Sequence, residues 1–381
     1  MPVSEAPKKK IYFENLDGLR FFCFLAVFLY HSFITESAAI GQSAAFNTVK
    51  HDVFGNGFLG VNFFFVLSGF LITYLLIEEK KLKGKINIPN FWLRRILRIW
   101  PLYYACVLIG FVLFPAIKSM AGGVPSETAN PWYYIAFISN FDYIRSGMPD
   151  APGLGVLWSV AIEEQFYLVW PVILSLFPIR LYWIPFTAII AGSFIFRAFN
   201  DVPKLHEMHT LSCIGDMAIG AFGAWLYLQK EKFSTFIQQL PAAAIVGVYV
   251  LLITVFLFRD EWLVNHYPVR IFERAFISCV MLMVILEQCF SNHSFYKMSS
   301  LKSVTKLGIY TYGLYCLHFL IISLTLGVTK VLGINTALWQ VLLLEPAIAL
   351  AITIVAAKIS YRYFELPFLK LKDRFSYITK H

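Results

Sequence analysis

Three ionisable residues lie along one helical stripe near the start of the chain. Residues 16–31 read LDGLRFFCFLAVFLYH, an almost wholly apolar segment with Asp17 and Arg20 near one end and His31 at the other. At 100° per residue these side chains fall within about 60° of one another. The stretch from Arg20 to His31 covers about 16 Å, so an Arg20 at one membrane face puts the imidazole near the middle of the hydrocarbon core. An ionisable group there is a candidate functional residue, and a hydrogen-bonded structural histidine is the alternative.

A second apolar segment, residues 157–171, contains two adjacent carboxylates, Glu163 and Glu164. Because two carboxylates within a membrane span are costly, we predict that at least one of them faces a cavity or a cationic partner. Neutral imidazole is the side chain best matched to general base catalysis near pH 7. We therefore predict that Glu163 or Glu164 orients the imidazole of His31.

Two further motifs could bind a ligand. Arg95 and Arg98 are spaced i, i+3 and share a helical face, where two permanently charged bidentate donors suit phosphate. A topology signal is the alternative, since a cytoplasmic basic run before a span already orients a membrane protein. In residues 60–73, Ser68 and Gly69 interrupt an aromatic span, and small residues there allow either a ligand or another helix to approach closely.

The composition indicates whether these motifs lie in water or in a membrane. The chain has 381 residues, 58% hydrophobic and 14% charged, with a mean hydropathy of +0.65, which does not fit a water-soluble surface. We predict an all-α integral membrane protein with about ten transmembrane helices. The predicted spans are residues 17–35, 57–77, 99–117, 155–176, 181–197, 211–229, 241–258, 272–290, 307–327 and 338–360.

Charge predicts the orientation of these spans. Ten spans put both termini on one side, and assigning that side to the cytoplasm places 23 of the 32 lysines and arginines there. We expect one transmembrane domain over residues 1–381, with cytoplasmic tails at 1–15 and 369–381. The net charge of +9 reads as contact with membrane lipid or an anionic ligand, and no nucleic-acid partner is expected. No metal site is expected, because no Cys/His ligand spacing occurs; homodimer formation is left open.

Taken in order, the motifs resemble the acyltransferase 3 family, the integral membrane O-acyltransferases of bacteria and some animals. The resemblance runs from Asn15 to Phe368. The motifs that carry it, in order and spacing, are LDGLR…H, GVxxFFVLSGFLI, RRxxRIxP, WSxxxEEQFYLxWP, YGLYCLH at 312–318 and YRYFELPF at 361–368.

The resemblance implies transfer of an acyl group, commonly acetyl from acetyl-CoA, to a hydroxyl of an extracytoplasmic glycan, glycolipid or small molecule. It implies that His31 is the family's essential histidine, that Arg95 and Arg98 are its RxxR pair, and that Glu163 is the acidic residue of its WSxxxE motif. We therefore expect His31 and Glu163 to be catalytic, acyl-CoA to be a co-substrate with no tightly bound cofactor, and the protein to lie in the bacterial inner membrane as a multi-pass protein.

The remaining site residues are assigned around this reaction. Three further residues are predicted to line the path of the donor, with the RxxR arginines on its phosphates: Arg20, Ser68 and Gly69. Four are predicted to bind the acceptor: Glu164, Trp132, Tyr133 and His318. Residues 130–144, too short to span, should form an interfacial or re-entrant helix whose aromatic side chains either stack on sugar or anchor the chain. For His318, a structural hydrogen bond between helices is the alternative.

The chain departs from the family pattern at two points. Asn62 stands where relatives often have aspartate, which puts in doubt any role that needs a negative charge there. Some bacterial relatives carry a C-terminal SGNH domain, and we expect none here, so that this chain completes transfer alone or hands the acyl group to a separate partner. Direct transfer and a covalent acyl intermediate both stay open, because no serine or cysteine nucleophile elbow is visible.

Two other classes of protein compete with the enzyme. A secondary transporter or lipid flippase could use intramembrane histidine and glutamate as a proton relay. Repeated half-sequences with paired Gly/Pro-broken spans, which would favour a transporter, are absent from the sequence. A non-catalytic membrane scaffold would not need His31, Arg95 and Glu163 at their predicted depths.

Overall fold

The computed structural model describes residues 9–120, 122–375 and 378–379, and the predicted tails 1–15 and 369–381 lie partly outside these residues. Ten long helices build the described chain. They are α1 (Glu14–Ser32), α2 (Leu59–Lys83), α3 (Ile88–Leu108), α4 (Leu157–Leu176), α5 (Trp183–Phe199), α6 (Thr210–Gln229), α7 (Ala242–Arg259), α8 (Val269–Phe290), α9 (Thr311–Val331) and α10 (Glu345–Ile359).

Short helical segments extend or connect the long helices. Helix α3 continues as Ile109–Leu113 and Phe114–Met120, while α10 is preceded by Gln340–Leu344 and continues as Ser360–Glu365 and Leu366–Lys372. The other short segments are Ala38–Gly41, Ala44–Asn47, Thr48–Val53, Pro131–Ile135, Ser139–Ser146, Pro152–Leu154, Ile179–Leu181, Pro203–Met208, Glu231–Gln238, Asp260–Val264, Met298–Ser300, Lys302–Gly308 and Asp373–Phe375.

Eight of the long helices in the described part of the chain, counted with their extensions, are long and apolar enough to cross a membrane. This finding confirms a helical multi-pass membrane protein. The other two, α1 and α8, overlap the predicted ranges 17–35 and 272–290, and each carries at least three charged residues. Their status as the ninth and tenth spans stays a prediction.

The two ends of the described chain meet. The two-residue strands Lys9–Lys10 and Ile378–Thr379 pair in parallel through their backbones. This pairing puts the N-terminal and C-terminal segments at the same end of the helix bundle, which is what an even number of crossings requires.

Two glycines allow helices α2 and α6 to touch backbone to backbone. A Cβ atom at Gly69 would lie 1.9 Å from the carbonyl oxygen of Met217, and one at Gly220 would lie 2.0 Å from that of Val66. Neither distance leaves room for a methyl group. Gly69 therefore faces α6. Its position fits close packing of two helices, which was the alternative to the wall of a ligand site.

We expect Gly69→Ala to lower the free energy of unfolding by about 1–3 kcal/mol, because the added methyl group must push two helices apart. Thermal unfolding of the detergent-solubilised protein measures the effect. Gly247→Ala in α7 is the matched control, since nothing lies within 4 Å of a Cβ atom there and alanine favours a helix. Equal stability of the two variants would contradict the close packing of α2 on α6.

Residues 130–144 do not form a span, as predicted. They contain the short helices Pro131–Ile135 and Ser139–Ser146, separated by a turn at Phe137. Phe137 has a φ of 54°, a left-handed conformation that is uncommon for a bulky residue. Its ring stacks on Tyr103 of α3 with centroids 4.2 Å apart, so the turn is held against the bundle by aromatic contact.

Candidate active site

A cavity of about 290 Å³ lies between α1, α2, α3, α4 and α9. Along α2 its lining extends from Glu79 to Val61, which corresponds to about 27 Å of helix. One end of the cavity lies beside the chain termini, where Tyr12 and Lys372 line it, and the other end is lined by Tyr315 of α9. The cavity is therefore long and narrow, and it runs inward from the end of the bundle that carries both termini.

Three of the predicted ligand-binding arginines, Arg20, Arg95 and Arg98, line this cavity. Arg20 forms an ion pair with the buried Asp17 one turn earlier on α1. In the described part of the chain, Arg95 and Arg98 have no ion-pair partner, and Nε of Arg95 is buried without a hydrogen-bond partner. The guanidinium of Arg95 instead lies over the ring of Tyr167, 5.5 Å from its centroid.

The neighbouring Arg94 differs from these two arginines, because a carboxylate of the protein forms an ion pair with it. Arg94 Nη2 lies 3.1 Å from Glu79 Oε2, and Nη1 donates to the carbonyl oxygen of Phe375 at 2.8 Å. Two guanidinium groups on a cavity wall, neither with an ion-pair partner in the part of the chain that the structure describes, form a site suited to an anion with several oxygen atoms.

Glu163 and Ser68 also line the cavity, and a hydrogen bond joins their side chains. Ser68 Oγ donates to Glu163 Oε1 at 2.7 Å and lies 2.9 Å from the hydroxyl oxygen of Tyr167. A serine has one hydroxyl proton, and Ser68 donates it to Glu163. The Tyr167 hydroxyl group is therefore the donor in the hydrogen bond between Tyr167 and Ser68. The prediction that one of the two carboxylates faces a cavity is confirmed for Glu163.

The side chain that contacts the His31 imidazole nitrogen is that of His318 and not that of Glu163 or Glu164, which corrects the sequence-based prediction. His31 Nδ1 lies 3.1 Å from His318 Nε2, and His318 Nδ1 lies 2.6 Å from the carbonyl oxygen of Tyr315. Because the two histidines are 287 residues apart in the chain, no local pattern could pair them. Glu163 instead accepts a hydrogen bond from Ser68.

The histidine pair lies close to the inner end of the cavity. Tyr315 lines the cavity, and its hydroxyl group lies 2.7 Å from Ser159 Oγ, a second lining residue. One turn further along α9, His318 is fully buried, with its ring 5.6 Å from that of Tyr315. The cavity thus extends from the arginines to a wall that includes Tyr315, and the ring of His318 lies next to Tyr315 behind this wall.

The residues predicted to bind the acceptor are dispersed. Glu164 accepts a hydrogen bond from Trp100 Nε1 at 2.8 Å, and its other oxygen is buried without a partner. Trp132 is 73% exposed, and the ring of Tyr133 contacts the Arg145 guanidinium at 5.5 Å. None of these three predicted residues lines the cavity. The exposure of Trp132 suits a membrane anchor as well as a sugar platform.

A buried ionic cluster lies away from the cavity, and sequence reasoning missed it. Glu273 of α8 contacts Arg197 at 3.2 Å and Arg259 at 2.5 Å, while Arg274 pairs with Asp216 of α6. The signal was present in the sequence, since charged residues inside apolar segments are uncommon and indicate a specific partner.

The departure at Asn62 is explained by this cluster. Asn62 Nδ2 donates to Asp216 Oδ2 at 3.4 Å, and both side chains are buried. An aspartate at position 62 would place two carboxylates against each other, so the amide here suits its neighbour.

This arrangement brings together two arginines on a cavity wall, a buried cavity and a pair of imidazole groups near its inner end. A family model described as an acyltransferase domain, acyltransferase 3, matches residues 13–361. The chain belongs to the acyltransferase 3 family. The match confirms the resemblance and the prediction of an acyltransferase.

Curated relatives in this family are longer proteins. The chain is 28% identical to the peptidoglycan O-acetyltransferase OatA of Listeria monocytogenes, over 94% of this chain and 56% of the relative. It is also 28% identical to the O-acetyltransferase OatA of Staphylococcus aureus, over 94% of this chain and 57% of the relative. The chain therefore spans a little more than half the length of the relatives it matches. No solved structure gives a significant match.

Proposed function

We propose that this chain is a bacterial inner-membrane O-acyltransferase that transfers an acetyl group from cytoplasmic acetyl-CoA to a hydroxyl of a cell-wall glycan. The observation that carries the proposal is the cavity itself, because it joins two arginines that have no ion-pair partner among the described residues to the vicinity of a buried imidazole pair. The names of the relatives support acetyl as the acyl group and peptidoglycan as the acceptor.

The donor enters from the cytoplasm, because acyl-CoA is made there and is too anionic to cross a bilayer. Arg95 and Arg98 hold its phosphates, and the uncharged pantetheine arm extends inward along α2 past Ser68. The cavity is long enough for an extended arm, and its deeper lining is largely apolar, with Phe64, Phe65 and Val61 among its residues.

In this proposal His31 acts as the general base. The acceptor hydroxyl loses its proton to His31 as its oxygen forms a bond to the acyl carbon, and the carbon–sulfur bond of the thioester breaks. The departing thiolate then takes the proton from the imidazolium, so that the products are the ester and free CoA thiol and the imidazole is neutral again. A histidine side chain suits both steps near pH 7, as neutral imidazole when it takes the proton and as imidazolium when it gives the proton up.

The proposed topology follows from the same assignment. All ten long helices cross the membrane, α1 and α8 included, and both termini lie in the cytoplasm. The paired terminal strands support an even number of crossings, and the bias of lysine and arginine supports the orientation. The acceptor then approaches from the opposite end of the bundle, to which His31 belongs as a residue of the last turn of α1.

The experiment that tests the function uses the purified full chain in lipid nanodiscs with radiolabelled acetyl-CoA. We expect label to move to soluble peptidoglycan fragments, and slow release of labelled acetate when no acceptor is present. A protein that neither transfers nor hydrolyses the label, yet remains folded, would contradict the proposal and return the transporter alternative to consideration.

Glu163→Gln tests the role of the carboxylate in the cavity. We expect kcat to fall more than the affinity for CoA, because the amide keeps the shape of the site and can still accept the hydrogen bond from Ser68, but it carries no negative charge. Steady-state kinetics together with calorimetric titration of CoA separates the two effects. Glu164→Gln is the control, and a larger loss there than at Glu163 would mean that the wrong carboxylate was assigned.

A further inference from the structure

His318 is contacted from several sides and has little freedom to rotate. It is fully buried, and the rings of Phe24 and Phe28 on α1 lie 5.8 and 6.4 Å from it. Its Nδ1 atom faces the carbonyl oxygen of Tyr315 at 2.6 Å. A carbonyl oxygen can only accept a hydrogen bond, so Nδ1 of His318 carries a proton. In a neutral ring, Nε2 then has the lone pair.

This assignment fixes the neighbouring ring as well. Nε2 of His318 faces Nδ1 of His31 at 3.1 Å, and an acceptor on one side requires a donor on the other. His31 is therefore protonated at Nδ1, and its lone pair is on Nε2. The ring of His31 is also stacked on Phe319 with centroids 4.6 Å apart, which holds its plane.

We infer that His318 is the positioning residue that makes Nε2 of His31 the basic nitrogen of the acyl transfer. No ion pair involves either histidine in the described part of the chain, so the orienting group here is a neutral imidazole where other enzymes use a carboxylate. Its own orientation comes from the backbone of α9. His318 thus has a defined task that differs from the acceptor binding predicted from the sequence.

This inference rests on the proposed function only for its kinetic consequence, because the protonation pattern can be measured directly. Solid-state NMR of the wild-type protein with isotope-labelled histidine reports which ring nitrogen carries the proton, and the signal of His31 is assigned by its loss in His31→Gln. We expect His31 to be protonated at Nδ1. Protonation at Nε2 in the wild-type protein would overturn the inference.

The kinetic test compares three substitutions on α9. His318→Leu removes the acceptor, and we expect kcat to fall about a hundredfold while the KM values for donor and acceptor stay unchanged. His318→Gln can place its amide oxygen near the position of Nε2, so it should recover most of the lost turnover. Thr325→Val, a buried change of similar shape two turns away, should behave as wild type.

The outcomes separate this inference from the proposed function. A rise in KM for the acceptor with unchanged kcat in His318→Leu would overturn the positioning role and restore acceptor binding. Equal losses in His318→Leu and His318→Gln would also overturn it, because an acceptor at that position would then make no difference. If the wild-type protein transferred no acyl group at all, the proposed function would fail, while the NMR result would still decide the protonation of His31.

Discussion

Replacement of His31 by alanine should reduce acyl transfer by at least about a hundredfold while leaving the protein folded in the membrane. A positioned general base contributes roughly 10²–10⁴ in rate, and no second imidazole in the described chain occupies an equivalent position, since Nε2 of His318 faces His31 itself. Transfer of radiolabelled acetyl from acetyl-CoA to a peptidoglycan fragment measures the loss.

Two comparisons guard this result against a folding defect. His31→Gln keeps a polar side chain of similar size, so it should retain the thermal stability of the wild-type protein but not its turnover. Calorimetric titration should show unchanged CoA affinity in both variants, because His31 does not line the cavity. Near-wild-type turnover in either variant would remove His31 from the mechanism.

Arg95→Ala should weaken CoA binding about ten- to a hundredfold, the second large effect. Each charged hydrogen bond to phosphate is worth roughly 1.5–3 kcal/mol, and about 1.4 kcal/mol corresponds to a factor of ten in affinity. Arg98→Ala should have an effect of the same order. Arg95→Lys should restore only part of the affinity, because an ammonium group replaces a bidentate fork with a point charge.

The control for this experiment is Arg180→Ala. Arg180 is exposed and lies outside the cavity, so its loss changes the net charge by the same amount without altering the cavity wall. Calorimetric titration of CoA against each detergent-solubilised variant gives the comparison. If Arg95→Ala and Arg180→Ala bind CoA equally well, the arginine pair serves as a topology signal and the donor site lies elsewhere.

The sequence was sufficient for the helices and for one wall of the site. Hydropathy predicted ten spans, and eight helices of the described chain are long and apolar enough to cross a membrane; the spacing of Arg95 and Arg98 also predicted a shared face, and both residues line the cavity. These features depend on local periodicity, which a single sequence carries.

The sequence was not sufficient for contacts between distant helices. It offered Glu163 as the partner of His31, whereas the fold brings His318 there from α9 and gives Glu163 to Ser68. Gly69 shows the same limit, since small residues at a helix surface can admit a ligand or a helix and only the packing of α2 on α6 decides between them. Which face of each helix meets which neighbour is a tertiary property.

The buried ionic cluster has a consequence for how the chain is assembled during synthesis. Helix α8 carries both Glu273 and Arg274 in its first two turns, and charged residues in an isolated helix oppose its insertion into the bilayer. Its partners, Arg197, Asp216 and Arg259, all belong to helices that leave the ribosome earlier. Helix α8 should therefore enter the bilayer next to helices that have already been inserted and that carry complementary charges. A nascent chain that stops before α8 would lack Glu273 and Arg274, so Arg197 and Asp216 would lose these ion-pair partners and Arg259 would keep its contact with Asp260.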